Sequence, residues 1–232
     1  MCKELYLELL KKSLLDIIYE EETDSILNGT CWPKRAFTMI GHKRLNNVQY
    51  CVEDVIKNNV DGDLIETGVW RGGTVIFMQG ILKAYGITNK KIFVADSFQG
   101  VPVPSDKYPI DSNSKLHSVD LLKVSVEQVK NNFKKYELLD ENVIFLEGWF
   151  KDTLANDLIR KIAVLRLDGD LYESTWDSLT MLYSKVVKNG YIIIDDYSWV
   201  NCRTAVENFR RQNNIQDLIN VIDSWGVYWK KS

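Results

Sequence analysis

From Asp61 onward the chain repeats one arrangement, a short and nearly continuous apolar run followed by a stretch of helical periodicity. That alternation marks βα units and a parallel sheet, because strands covered on both faces lose the polar positions of a half-exposed strand. The expected strands are 63–66, 91–96, 142–146, 162–168 and 191–195, and several end in a carboxylate. Between them Val75, Ile76, Gln79 and Leu82 predict a helix closing at Gly86. Val119, Leu122, Val126, Val129 and Phe133 predict a second helix, and Leu179, Leu182, Tyr183 and Val186 a third. Residues 219–222 and 227–229 flank Asp223-Ser224-Trp225-Gly226, which reads as a hairpin adding an antiparallel edge.

Upstream of Asp61, Tyr6, Leu10, Leu14, Ile17 and Ile18 recur at helical spacing, so the N-terminal segment is expected to be an amphipathic packing or dimer helix. Residues 1–60 then form a helical, substrate-facing cap on a core of residues 61–232, within one compact domain. With 232 residues, 45% hydrophobic and 26% charged, the chain can bury roughly 70% of its unfolded surface without a disulfide or structural metal. Cys2, Cys31, Cys51 and Cys202 lie far apart with no CxxC pair, as expected of reduced thiols. No apolar run approaches the roughly 20 residues of a membrane span, so a cytoplasmic protein with no membrane partner is expected. A net charge of −3 without a basic block argues against a nucleic-acid partner.

Residues 100–118 hold three of the four prolines and no periodicity, which makes them a surface loop able to act as a lid or a tolerated insertion. In open α/β sheets ligands bind at the carboxyl ends of the strands, so the residues after each run carry the functional argument. The first run ends in Glu66-Thr67-Gly68-Val69-Trp70-Arg71-Gly72-Gly73-Thr74, a tight turn whose glycines allow close approach to the backbone. It is not GxGxxG, and Glu66 suits a cationic or zwitterionic adenosyl ligand better than a pyrophosphate. Arg71 is placed either to hold a substrate anion or to pair with Glu66.

Asp96, ending the second strand, lies where a carboxylate accepts hydrogen bonds from a ribose diol, with helix capping as the plainer role. The third strand ends in Glu147-Gly148-Trp149, where Trp149 suits an adenine face or a sulfonium, or the core. Leu167-Asp168-Gly169-Asp170 and Asp195-Asp196 bring carboxylates to adjacent strand ends. Such a cluster repels itself unless a hard cation neutralises it, and all-oxygen ligation suits Mg2+ or Ca2+. His42 and His117 are isolated and no Ser-His-Asp set is evident.

These residues resemble the macrocin O-methyltransferase (TylF-like) family. The likeness rests on TMIGHKRLNNVQYCVEDV (38–55), DLIETGVWRGG (63–73), VADSFQGVP (94–102), GWFKDTL (148–154), LRLDGDLYEST (165–175), IIIDDY (192–197) and GVYWKK (226–231). It implies a class I methyltransferase fold, Rossmann-like, with a mostly parallel seven-stranded sheet, helices on both faces and an antiparallel C-terminal hairpin. It also implies S-adenosyl-L-methionine as cofactor, Mg2+, a sugar or glycoside hydroxyl as acceptor, and a homo-oligomer. By position Glu66, Thr67, Gly68 and Gly73 would line the methionine and adenosine groove and Asp96 and Ser97 the ribose, with Thr74, Gly148, Trp149 and Asp168 also among the cofactor-binding residues. Thr38, Met39 and Ile40 would close over the cofactor, and Asp168, Asp195 and Asp196 would hold the metal. Either Asp168 or Asp170 would take the proton. Residues 20–31 and 102–117 carry no family pattern, so the acceptor stays open.

Three rival readings exist. Asp168-Gly169-Asp170 also reads as the DxD pair of a metal-dependent glycosyltransferase binding a nucleotide-sugar. A nicotinamide oxidoreductase is disfavoured by the absent GxGxxG, and a silent binding protein by the intact acidic cluster.

Overall fold

The computed structural model describes residues 2–19 and 23–232; Met1 and residues 20–22, which belong to the expected N-terminal helix, lie outside them. The first helix, α1 (Cys2–Leu14), buries Leu7, Leu10, Lys11 and Leu14. The stripe is therefore offset from the expected one. Tyr6 is 38% exposed, Leu7 takes its place, and Ile17 and Ile18 fall beyond the helix end. Lys11 tolerates burial because its Nζ donates to Glu8 and to Asn46 Oδ1, both at 2.5 Å.

Five strands run parallel: β1 (Asp63–Thr67), β2 (Ile92–Asp96), β3 (Val143–Glu147), β4 (Ile162–Leu167) and β5 (Val186–Ile194). At one edge β7 (Val227–Lys230) pairs antiparallel with β5 and with β6 (Asn220–Val221), the expected hairpin. The order is β3-β2-β1-β4-β5-β7-β6. The chain therefore reverses its winding between β1 and β4, and a cleft opens there at the carboxyl ends. β5 begins earlier than its sequence pattern suggests. Its partner register jumps from Ile162 opposite Val186 to Val164 opposite Tyr191, an irregularity that absorbs the polar residues Lys188 and Asn189.

The remaining helices are α2 (Asp24–Leu27), α3 (Gly41–Lys57), α4 (Gly73–Ala84), α5 (Val126–Lys135), α6 (Phe150–Thr153), α7 (Tyr172–Leu182) and α8 (Val200–Gln212). Successive strand residues serve opposite layers. Leu64, Val94, Val164 and Ile193 pack with residues of α1, α3, α4 and α5, whereas Ile65, Phe93, Leu165 and Ile192 pack with residues of α7 and α8. The N-terminal helices thus share one of the two cores.

Val119 and Leu122 do not join α5 as their spacing predicts. They lie at short 3-10 turns (Leu116–Ser118 and Asp120–Leu122), with Val119 and Lys123 extended. Ser125 starts the helix instead, its hydroxyl accepting from Gln128 N at 3.3 Å. No helix among the described residues is long and apolar enough to cross a membrane.

Candidate active site

A cavity of about 480 Å³ opens at the carboxyl ends of the parallel strands. Thr38, Met39, Ile40, Glu66, Gly68 and Thr74 line it, together with Asp96, Ser97 and Trp149 on the β2 and β3 side and Asp168, Asp170, Asp195 and Asp196 on the β4 and β5 side. The expected residues Thr67, Gly73 and Gly148 lie close by without lining it. Thr67 is fully buried and faces Ser178 of α7 at 3.5 Å.

The glycine-rich turn after β1 is crowded by protein. A Cβ on Gly68 would lie 1.6 Å from the Asp168 carbonyl oxygen, and its φ of +85° already favours glycine. A Cβ on Gly73 would meet the Phe37 carbonyl oxygen at 2.4 Å, where the Gly73 amide donates to that same oxygen. The glycines thus first let the neighbouring strand and the segment before α3 pack closely. Arg71 does not pair with Glu66, and it does not line the cavity. Its Nη1 donates to the carbonyls of Lys34 and Ala36 at 3.0 and 2.9 Å, and its guanidinium lies 4.1 Å from the Trp70 ring. Trp70 in turn donates its indole N–H to Leu121 O at 2.8 Å.

Asp96 accepts from the amides of Val69 and Phe98, both at 2.8 Å. These fix its carboxylate at the junction of two loops and leave lone pairs for a further donor. Burial raises its pKa from the usual carboxylate value.

Glu66 does not stand alone as the strand-end pattern suggests. Arg166, the penultimate residue of β4 and wholly buried, donates to Glu66, to Asp168 at 2.9 Å and to Asp195. Arg44 of α3 adds a second bond to Asp195, an ion pair to Asp223 and a bond to the Gly29 carbonyl at 2.7 Å. Sequence reasoning missed both arginines. The available signal was Arg166 itself, a lone charge inside an apolar strand, which must find a buried partner.

Burial, reinforced by the charges of Asp168 and Asp195, pushes Glu66 up to about 8 despite Arg166. Burial and Asp195 push Asp168 up to about 6; burial, Asp168 and Asp195 push Asp170 up to about 7. Asp196 is raised well above the carboxylate range by burial and by Asp170, Asp168 and Asp195. Arg166 is held protonated: burial opposes its charge, but the surrounding carboxylates outweigh that opposition. The site thus carries more acid than its guanidinium groups neutralise. Carboxylate oxygens of Asp168, Asp195 and Asp196 all lie within 4.8 Å of one another, an all-oxygen set suited to a hard divalent cation.

Trp32, Trp199 and Trp225 also line the cavity, and Trp32 and Trp199 are exposed. All four cysteines are free; Cys51 and Cys202 are buried as packing residues, Cys31 lines the cavity and Cys2 is exposed.

Residues 22–231 match the family model described as macrocin O-methyltransferase (TylF). The chain is 50% identical to demethyldecarbamoylnovobiocin O-methyltransferase of Streptomyces niveus, over 98% of this chain and 94% of that protein. It is 45% identical to mycinamicin III 3''-O-methyltransferase of Micromonospora griseorubida, over 99% and 97%. Among solved structures, the O-methyltransferase NovP superposes with a TM-score of 0.96 at 52% identity, covering 99% of both chains. A calicheamicin methyltransferase, 18% identical with a TM-score of 0.69 over 98% of this chain and 91% of its own, shares the fold. With the family model matched from residue 22 to residue 231 and nearly the whole length shared with these relatives, the chain is an O-methyltransferase and belongs to the macrocin O-methyltransferase (TylF) family.

Proposed function

We propose that the chain methylates a sugar hydroxyl of a glycosylated small molecule, using S-adenosyl-L-methionine and a divalent cation, Mg2+ by the chemistry of its ligands. The observation that carries this reading is a single cavity with Asp96 and Trp149 at the ends of β2 and β3, Asp168, Asp195 and Asp196 at the ends of β4 and β5, and Glu66 on β1 between them. Support for the acceptor class comes from the relatives' names, which refer to demethyldecarbamoylnovobiocin, mycinamicin III and a rhamnosyl tetracenomycin.

On the cofactor side, Glu66 lines the cavity and its Oε2 is buried without a hydrogen-bond partner. An ammonium group of the methionine moiety would satisfy it. Asp96 has lone pairs left for the ribose hydroxyls, with Ser97 beside it, and Trp149 offers a half-buried ring to the adenine. Thr38, Met39 and Ile40 line the same cavity with Thr74, whose hydroxyl lies 3.4 Å from that of Thr38. S-adenosyl-L-methionine, when bound, supplies an activated methyl group on its sulfonium.

On the acceptor side, Asp168, Asp195 and Asp196 would hold the cation, and their shared excess of negative charge fits that task. A bound cation would gather neighbouring hydroxyls and lower their pKa. Asp168 is already engaged by Arg166, whereas the Asp170 carboxyl lies in the same cavity with its backbone amide donated to Asp196 at 3.0 Å. Asp170 is therefore the base in this reading: it would take the proton of the acceptor hydroxyl as the methyl group passes from the sulfonium to that oxygen, leaving S-adenosylhomocysteine and a methyl ether.

A nucleotide-sugar fits poorly. Eight carboxylates and two cations, Arg44 and Lys151, line the cavity, and a diphosphate would meet repulsion.

Calorimetric titration with S-adenosylmethionine, S-adenosylhomocysteine, NAD and uridine diphosphate, each with and without Mg2+, tests the reading. Binding of the adenosyl pair alone is expected; binding of uridine diphosphate alone, dependent on Mg2+, would reject it. The Asp168→Asn variant is expected to lose methyl transfer to demethyldecarbamoylnovobiocin or another glycoside acceptor while retaining S-adenosylhomocysteine. Unchanged turnover in that variant would remove the metal assignment.

A further inference from the structure

In the segment over the cavity from Val101 to Lys123 only Asp111 and Leu116 are buried, and the charged one, Asp111, is 1% exposed. Its Oδ1 accepts from Tyr172 N at 2.9 Å and its Oδ2 from Glu173 N at 3.0 Å. These are the first two amides of α7, which have no acceptor within the helix. The residue before them, Leu171, has no side-chain oxygen to cap them. The cap therefore comes from a segment some sixty positions upstream in the chain, with the helix dipole adding to its attraction for a carboxylate. Asn201, near the start of α8, donates to the same carboxylate at 2.7 Å and to the Ile110 carbonyl at 3.0 Å. Ser105 donates to Glu173 at 2.8 Å, and the Tyr108 ring packs 5.0 Å from that of Tyr172.

Two residues before Tyr172 stands Asp170, held in a left-handed conformation at φ +58°. Only Leu171 separates Asp170 from the first residue of α7, and its carbonyl accepts from Thr175 N at 3.1 Å. We propose that Asp111 is a positioning residue: by capping α7 from the cavity cover, it makes closure of that cover and placement of the Asp170 carboxyl a single event. The inference rests on the methyl-transfer reading above. It assigns to the cover a role beyond excluding water, since a cover lifted from α7 also leaves the catalytic loop without its anchor.

The test uses the full chain as wild type, Asp111→Ala and Asp111→Asn. In Asp111→Ala the amides of Tyr172 and Glu173 and those of residues 102–118 are expected to exchange hydrogen about tenfold faster or more, while α4 keeps its protection. With demethyldecarbamoylnovobiocin as acceptor probe, kcat is expected to fall about tenfold or more while the KM for S-adenosylmethionine shifts no more than about threefold. Asp111→Asn keeps one accepting oxygen and is expected to fall between the two. A cap that served stability alone would lower the melting temperature but leave kcat of the folded enzyme unchanged.

Equal cover exchange in Asp111→Ala and wild type would overturn the proposal, and so would faster exchange with an unchanged kcat. If wild type fails to bind S-adenosylhomocysteine, the methyl-transfer reading fails instead. In that case the exchange data still decide whether Asp111 joins the cover to α7.

Discussion

At the amino edge of the sheet Lys161 and Asp61 pair at 2.7 Å with 62% and 71% of their side chains exposed, whereas at the carboxyl edge Arg166 and Glu66 pair with 0% and 1% exposed. The first pair is solvated whether or not it forms, so it costs little to make or to break. The second has given up its water. Arg166 must satisfy Glu66, Asp168 and Asp195 together, and each carboxylate depends on it in turn. The contrast shows where this fold has placed strain. Charges at the amino edge serve the surface, while those at the carboxyl edge are held in an arrangement that a packed apolar core would not choose.

The largest effect is expected from Arg166→Leu, which strands buried carboxylates and should cost about 3–5 kcal/mol in urea unfolding. A loss below about 1 kcal/mol would break the comparison, because the carboxyl-edge charges would then behave like the amino-edge pair. Gly68→Ala comes next. Its methyl group would collide with the Asp168 carbonyl in a left-handed backbone, costing about 3 kcal/mol by the same measurement.

Asp170→Asn separates function from stability. Methyl transfer is expected to fall about 10²–10⁴-fold, while the urea midpoint holds or rises because one of several repelling acids has been removed. A variant that was both active and less stable would move Asp170 from the chemistry to the scaffold. At the small end, Lys161→Ala is expected to leave the urea midpoint in place, and a clear drop there would show that the amino edge is less solvated than its exposure indicates.

Much of the fold was legible in the amino-acid order. The apolar runs located all five parallel strands, and the pattern around Asp223 to Gly226 located the closing hairpin. Both signals are local, since a strand buried on two faces must be apolar throughout. The strand-end rule also found five acids that line the cavity, because Glu66, Asp96, Asp168, Asp195 and Asp196 follow directly from where their runs stop. Two local patterns misled. Val119 and Leu122 matched the period of α5, but Ser125 capped the helix after them; Tyr6 matched the period of α1, but Leu7 entered the core in its place.

The partners remained out of reach. Arg166 meets Glu66 across 100 positions, Arg44 meets Asp195 across 151, and Asp111 caps a helix whose first residue lies 61 positions away. The sequence by itself determined which segments become strands and helices and which acids arrive at the strand ends, because periodicity and burial act within a few residues. Only the tertiary structure decided which arginine neutralises which acid and where the cover is fastened, because those contacts form between segments that the fold alone brings together.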